Sequence, residues 1–94
     1  MSECTIERAI VRVCDEQGWY CLKLVNQGAR GFPDRTIIGP EFVLFVEVKR
    51  PGGRLSKHQQ MWISRLKHFG LDVAVVRSLE EFESCLNRIR INKS

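Results

Sequence analysis

The sequence predicts an α/β fold in which a small mixed sheet is flanked by helices. Apolar residues recur at three- and four-residue spacing near both ends of the chain and again in the middle, which is typical of amphipathic helices. The most apolar stretch, from Phe42 to Val48, is typical of a central strand buried on both faces. A helix and a further strand follow it. This strand–helix–strand unit implies a parallel strand pair with a right-handed crossover.

The length and composition indicate one folded domain spanning residues 1–94. With 44% hydrophobic residues, the chain is too apolar to be disordered. No apolar run approaches the roughly 20 residues that a membrane-spanning helix needs. The N-terminus carries Glu3 and Glu7 where a secretory signal would be basic and then apolar, so we expect a cytoplasmic protein.

The first half of the chain is predicted to form one helix and three strands. Ser2 or Thr5 can cap the start of the helix, and Gly18 can end it. Residues 19–25, 35–38 and 42–48 are rich in branched and aromatic side chains, which is typical of strands. Gly39 and Pro40 predict a tight turn between the last two strands.

The second half is predicted to form two helices separated by a buried strand at residues 72–76. Ser56 and Gln59 have the spacing of a capping box, and Gly70 ends the helix that they begin. Ser78 and Glu81 repeat the capping-box spacing before the last helix. The apolar stripes of the two helices are Trp62, Ile63, Leu66 and Phe69, and then Leu79, Phe82, Leu86 and Ile89. Residues 91–94 are expected to fray.

The excess positive charge lies in the middle of the chain. Lys and Arg number 15 against 11 Asp and Glu overall, and residues 30–67 contain eight of these cations but only three of the acids. Gly52 and Gly53 would let the basic segment 49–57 follow a phosphate backbone closely. A solvated basic loop would have the same composition. If the segment does follow a phosphate backbone, DNA-backbone contacts are expected from Arg30, Arg50, Arg54 and Lys57.

The cysteines and histidines match no familiar metal site. Cys4, Cys14, Cys21 and Cys85 include no Cys-x-x-Cys pair, so they do not fit a zinc ribbon or a thioredoxin-type centre. The two histidines lie ten residues apart, which is not a metal-ligand spacing. We therefore expect four reduced and mostly buried thiols.

Two carboxylates and a lysine are predicted to meet at one end of the sheet. Glu47 and Lys49 are two residues apart at the end of the most apolar strand, so their side chains point to one face. A hairpin through the Gly39–Pro40 turn would return Asp34 to the same end. Paired carboxylates bind hard cations such as Mg²⁺, and a lysine can orient water or stabilise a phosphoryl transition state. Taken singly, a solvated Glu–Lys pair and a turn Asp are the alternative interpretation.

These residues together resemble a known nuclease signature. Pro33-Asp34, twelve further residues and then Glu47-Val48-Lys49 resemble the PD-(D/E)xK pattern. The Gly31-Phe32 pair before Pro33, Leu55-Ser56, Gln59, Trp62 and the early Glu7 narrow the resemblance to the VRR-NUC family. The resemblance spans residues 5–86. It implies a restriction-endonuclease-like PD-(D/E)xK core of αβββαβ(α) order, with a mixed central sheet flanked by helices.

The resemblance also implies a role for each site residue. Asp34, Glu47, Glu7 and the backbone carbonyl of Val48 would hold Mg²⁺, for which Mn²⁺ can substitute. Lys49 would be the catalytic base or an electrostatic stabiliser. Gln59 would stand near the scissile phosphate or orient Lys49, unless it is only the helix cap. Glu3, one turn before Glu7, is the alternative first-helix carboxylate.

The chain resembles the stand-alone members of this family from phages and bacteria, which act as dimers on branched DNA. We therefore expect a divalent-metal-dependent, structure-selective endonuclease of four-way (Holliday) junctions, in a bacterial or phage-infected cell. Candidate dimer surfaces are Leu86, Ile89 and the Trp19–Tyr20 region. Two alternatives stay open: a branched-DNA-binding module that does not cut, and a PD-(D/E)xK nuclease acting on another DNA structure, such as a flap or a duplex.

Overall fold

The fold consists of three helices and one four-stranded sheet. A computed structural model of the chain describes residues 2–24 and 28–93. In chain order the elements are α1 (Glu3–Gln17), β1 (Tyr20–Leu22), β2 (Arg35–Gly39), β3 (Phe42–Val48), α2 (Lys57–His68), β4 (Asp72–Val76) and α3 (Leu79–Lys93). This order confirms the α/β prediction and the expected αβββαβα sequence of elements.

The sheet is mixed and its strands follow in sequence order, β1-β2-β3-β4. The first three strands form an antiparallel meander, and β3 pairs with β4 in parallel through the crossover that contains α2. In the β2–β3 hairpin, Arg35 is opposite Val46. The residue before β2, Asp34, is thereby returned to the end of β3 that carries Glu47, as the hairpin prediction required.

One face of the sheet forms the main core with α1 and α3. Ile6 and Ile10 of α1 and Phe82 of α3 are fully buried there, together with Leu44 and Val46 of β3. The alternation of β3 turns Phe45 and Glu47 to the other face. On that side Phe32 makes edge-to-face contacts with Phe45 and with Trp62 of α2, at ring-centroid distances of 5.6 and 5.2 Å.

The helix ends use the predicted caps, with one variation. Ser2 Oγ accepts a hydrogen bond from the Thr5 amide, and Gly18 ends α1 in the left-handed region with φ 75°. Ser56 and Gln59 form both hydrogen bonds of a capping box at α2. At α3, Ser78 Oγ accepts from the Glu81 amide, but the Glu81 carboxylate accepts from the Arg77 amide instead of Ser78.

Several expectations about burial and boundaries are corrected. The first strand is three residues long, and Val25, its predicted end, lies outside the described residues. Val43 is 41% exposed, so β3 is not buried on both faces. Phe69 is 74% exposed because α2 ends before it and no longer directs it to the sheet. Helix α3 continues through the segment expected to fray, as far as Lys93.

Three further expectations concerned the dimer surfaces, the burial of the cysteines and membrane-spanning helices. Leu86 and Ile89 are buried in the core, so neither can form a dimer surface, whereas Tyr20 is 68% exposed. Cys14 and Cys85 are buried, while Cys4 is exposed. In residues 2–24 and 28–93 no helix is both long and apolar enough to cross a bilayer.

Candidate active site

A glycine turn brings Asp34 to the sheet. Gly31 has φ 84°, and a Cβ added there would lie 2.6 Å from the carbonyl carbon and Cβ of His58. Only glycine allows the turn to lie this close to the first turn of α2. Asp34 follows at the start of β2, and its Oδ2 accepts a hydrogen bond of 2.9 Å from the Val48 amide. The carboxylate is thus fixed to the end of β3.

Glu47 is a buried carboxyl group beside Asp34. It is 2% exposed, although it lies near the end of a strand. Burial, a side-chain hydrogen bond with Asp34 and the Asp34 charge together raise the pKa of Glu47 to about 8. The Lys49 charge acts in the opposite direction. A buried carboxyl group next to the half-buried Asp34 carboxylate is stabilised by a proton or by a cation bound between the two groups.

Gln59 links Glu47 to the start of α2. Its Nε2 donates a hydrogen bond of 3.2 Å to Glu47 Oε2, while its Oε1 accepts one of 2.8 Å from the Ser56 amide. Its own amide donates to Ser56 Oγ. Gln59 therefore caps α2 and contacts the Glu47 carboxyl with the same side chain.

Lys49 and Val48 complete the strand end. The Lys49 amide donates a hydrogen bond of 3.0 Å to the Val76 carbonyl, which continues the parallel pairing with β4. Its ammonium group is close enough to favour the ionised form of Glu47. Val48 is buried and its peptide borders the site through the Asp34 bond. The structure therefore brings Asp34, Glu47, Lys49 and Gln59 together.

The two α1 carboxylates have different surroundings. Glu7 Oε2 accepts a hydrogen bond of 2.6 Å from Arg35 Nε and lies 3.8 Å from Lys23 Nζ. Glu3 instead accepts from the Arg50 amide at 3.3 Å, and its charge contributes to the raised pKa of Glu47. Of the two α1 carboxylates, Glu3 is thus the one whose charge acts on Glu47. The predicted metal-ligand role of Glu7 has no such support, because its carboxylate is held by two cations.

The four predicted DNA-binding cations are all exposed and lie on the segments that precede or follow site residues in the chain. Within the described part of the chain, none of Arg30, Arg50, Arg54 and Lys57 forms an ion pair. Sequence reasoning missed Arg77, whose guanidinium donates a hydrogen bond of 3.0 Å to the Gly53 carbonyl. Nothing local in the sequence indicates this contact, since the two residues are 24 positions apart.

Comparison with known proteins identifies the family. Residues 1–80 match the model of the VRR-NUC domain. The chain belongs to the VRR-NUC family. The family is one of nucleases, and this confirms the resemblance drawn from the sequence motifs.

One relative agrees with this assignment, and one solved structure has the same fold. The VRR-NUC chain is 35% identical over 77 residues to a protein named "Putative nuclease p44" of Acyrthosiphon pisum secondary endosymbiont phage 1, covering 81% of this chain and 83% of the relative. A solved structure described as a VRR_NUC domain superposes with a TM-score of 0.82 at 24% identity, over 93% of this chain and 97% of the other. The second likeness confirms the fold.

The donor set of this VRR-NUC site fits a magnesium ion. Among the described residues, no three Asp, Glu, His or Cys side chains converge on one point that could hold a metal. Mg²⁺ keeps most of its water and is commonly bound through one or two carboxylates together with substrate phosphates. Asp34 and Glu47 supply two adjacent carboxylates of this kind, and a cation between them would relieve their mutual repulsion.

Proposed function

We propose that this VRR-NUC chain is a structure-selective DNA endonuclease that depends on Mg²⁺ or Mn²⁺ and cuts branched DNA such as four-way junctions. The observation that carries the proposal is the buried Glu47 carboxyl at the end of β3, to which the Val48 amide holds Asp34 and where Asp34 raises the pKa of Glu47. Two carboxyl groups, whose oxygens suit a hard metal ion, thus lie near the Lys49 ammonium group. Exposed basic residues flank them in the chain.

Each residue then has a chemical task. Asp34 and Glu47 would hold the divalent cation, which when bound would lower the pKa of a water and neutralise charge on the phosphate. Glu3, whose charge also acts on Glu47, would add a third carboxylate through water. Gln59 keeps the Glu47 carboxylate oriented toward the site. Lys49 orients the attacking water or stabilises the phosphorane-like transition state through its positive charge.

The substrate is recognised through its backbone. Arg30, Arg50, Arg54 and Lys57 are exposed, and none pairs with an acid among the described side chains, so all four are available to phosphates. Contacts to phosphates depend on the course of the DNA backbone and not on its base sequence. They therefore support selection of DNA by its structure. A homodimer would place two such sites on the two strands of a symmetric junction. The working compartment on this proposal is the cytoplasm of a bacterial or phage-infected cell.

The second candidate function is a branched-DNA-binding module that does not cut. The exposed cations would serve it equally well. Against it stands the Asp34–Glu47 carboxyl pair, because two carboxylates facing phosphate weaken binding unless a metal neutralises them. A chain selected for binding alone would gain nothing from Asp34 and Glu47.

A cleavage assay separates these functions. Purified protein is incubated with labelled four-way junction, flap and linear duplex, each in EDTA, Mg²⁺ or Mn²⁺. We expect metal-dependent cutting of the junction, lost in Glu47→Ala, and a Lys49→Ala variant that still binds the junction without cutting it. Cutting of flap or duplex alone would keep the chemistry and reject the junction. Binding by the wild type without cutting under any metal would support the binding module.

A further inference from the structure

Two of the four cysteines meet between α1 and β1. Cys14, near the end of α1, is fully buried in the main core. Cys21 is the middle residue of β1 and the one residue of that strand that is not exposed, so strand alternation turns it toward the core that α1 covers. Both are free thiols, and their side chains are hydrogen bonded to each other. Two sulfur atoms on different elements are therefore in contact.

Backbone hydrogen bonds on both sides hold the two cysteines in place. The Trp19 amide, just after the end of α1, donates a hydrogen bond of 2.9 Å to the Cys14 carbonyl. The Arg35 guanidinium of β2 donates through Nε to Glu7 of α1 and through Nη1 to the Cys21 carbonyl, at 2.6 and 3.4 Å. The sulfurs of a disulfide are about 2.05 Å apart, so two thiols in hydrogen-bond contact need to move by no more than about 2 Å to form one.

The surroundings make the two thiols chemically unequal. The hydrogen bond with Cys14 and the Arg35 charge lower the pKa of Cys21 to about 7. Burial and the charges of Glu7 and Asp15 act in the opposite direction. The same hydrogen bond and burial raise the pKa of Cys14. Cys21 is thus the nucleophilic sulfur of the pair, and it is also the more accessible one, while Cys14 keeps its proton.

We propose that Cys14 and Cys21 are a redox modification site, at which a hydroperoxide such as hydrogen peroxide joins them in a disulfide. The Cys21 thiolate attacks one peroxide oxygen, the O–O bond breaks, and the other oxygen leaves as hydroxide, which takes up a proton and becomes water. The Cys14 thiol then attacks the sulfenic acid formed on Cys21. The S–S bond forms, and the sulfenic hydroxyl leaves with the Cys14 proton as a second water. The two thiols are oxidised by two electrons, and a dithiol reductant restores them.

The other two cysteines have different surroundings. Cys4 is exposed at the start of α1, at the opposite end of the helix from Cys14. Cys85 is buried on α3, where burial raises the pKa of its thiol and Arg88 is its hydrogen-bond partner. We therefore expect peroxide to form one particular disulfide. The inference goes beyond the proposed function and needs neither DNA nor metal, because β2 separates β1 from the strand of the carboxyl site.

Peptide mass spectrometry after peroxide treatment tests the site. Folded protein at about pH 7 is treated with hydrogen peroxide, quenched with catalase, alkylated with iodoacetamide and digested with trypsin. Both thiols lie between Arg12 and Lys23, so one tryptic peptide, residues 13–23, carries them. We expect this peptide to lose two hydrogen atoms and to take up no alkyl group. Dithiothreitol given before alkylation should restore both alkylation sites.

Three serine variants assign the roles of the thiols. Cys14→Ser should stop at a sulfenic acid on Cys21, which dimedone traps, and excess peroxide should carry it to a sulfinic acid that dithiothreitol does not reverse. Cys21→Ser should leave Cys14 at least about tenfold less reactive than Cys21 is in the wild type, because Cys14 is buried and protonated. Cys4→Ser is the matched control on the same helix and should form the disulfide at the wild-type rate. Circular dichroism checks that each variant is folded.

Other results would overturn the site. These are a peptide 13–23 that keeps both thiols under peroxide, a disulfide that joins two chains through Cys4, and a disulfide lost in Cys4→Ser. The wild type alone gives a second measurement if a variant does not fold: the folded protein should form the disulfide at least about tenfold faster than the protein in urea. A disulfide that forms only in urea would show that the folded contact plays no part. All these masses are read without DNA or metal, so they do not depend on whether the chain cuts DNA.

Discussion

The Gln59 carboxamide donates a hydrogen bond of 3.2 Å to the buried carboxylate of Glu47. The same side chain accepts from the Ser56 amide and so belongs to the α2 capping box. The start of α2 is therefore tied to the end of β3 through one residue. A helix cap, which is usually a matter of stability alone, here also sets the orientation of a site carboxylate.

Gln59→Ala should lower both stability and activity. Loss of the cap is expected to cost about 1 kcal/mol of unfolding free energy, and loss of the Glu47 contact should reduce cleavage by roughly 10- to 100-fold. Ser56→Ala is the matched control, because it weakens the same cap and keeps the Gln59–Glu47 bond. Urea unfolding and single-turnover cleavage measure the two effects. Equal losses of activity in both variants would show that Gln59 acts only through the cap.

Glu3→Gln should change the magnesium requirement of cleavage, whereas Glu7→Gln should change the stability of the fold. The Glu3 charge acts on Glu47, so its loss should raise the Mg²⁺ concentration needed for half-maximal cleavage several-fold, with little change in stability. Glu7 is bound to Arg35, so its loss should cost about 1 kcal/mol of stability and leave the metal requirement unchanged. Magnesium titrations of cleavage, together with thermal melts, provide the comparison. A larger metal effect in Glu7→Gln would restore Glu7 as the ligand predicted from the resemblance.

The raised pKa of Glu47 predicts a pH-dependent stability without metal. In the folded chain this pKa is about 8, against an ordinary value of 4.5, so between these values the folded state binds more protons than the unfolded state. Stability in EDTA should therefore fall as pH rises through this window. Glu47→Gln should flatten the dependence. Unfolding curves from pH 4 to 9 test this expectation, and an unchanged slope in Glu47→Gln would assign the dependence to another group.

Magnesium should reverse part of that pH effect. A cation bound by the ionised carboxylates displaces the proton from Glu47, so binding should release protons and be stronger above pH 8 than below it. Calorimetric titrations in buffers of different ionisation enthalpy count the released protons. Binding that releases no proton would mean that the cation does not use Glu47.

Gly31→Ala should disrupt the site through the backbone. The new Cβ would lie 2.6 Å from His58 at the start of α2, and the left-handed φ would add about 1 kcal/mol of strain. We expect a loss of more than about 3 kcal/mol of stability, with little residual cleavage. Gly52→Ala is the control: its φ is also left-handed, 79°, but the space around it is empty. If both variants lose only the strain energy, the close contact with α2 is unimportant.

The sequence by itself determined the order of the elements and the core of the site. The bounds of β3 and β4 and the caps at Ser2, Ser56 and Ser78 follow from local patterns, because strand alternation and capping depend on neighbouring residues. The meeting of Asp34 with Glu47 was equally predictable, since a short hairpin leaves one register that buries the apolar side chains.

Only the tertiary structure decided which side chains face which partners. Glu3 and Glu7 are one helical turn apart, and the contacts of α1 with Arg35 and Arg50 separate their roles. Phe69 fits an apolar stripe in the sequence, yet it is exposed because α2 ends before it. The Arg77–Gly53 bond joins residues far apart in the chain. Periodicity shows that a side chain can be buried, whereas packing between distant elements determines what it contacts.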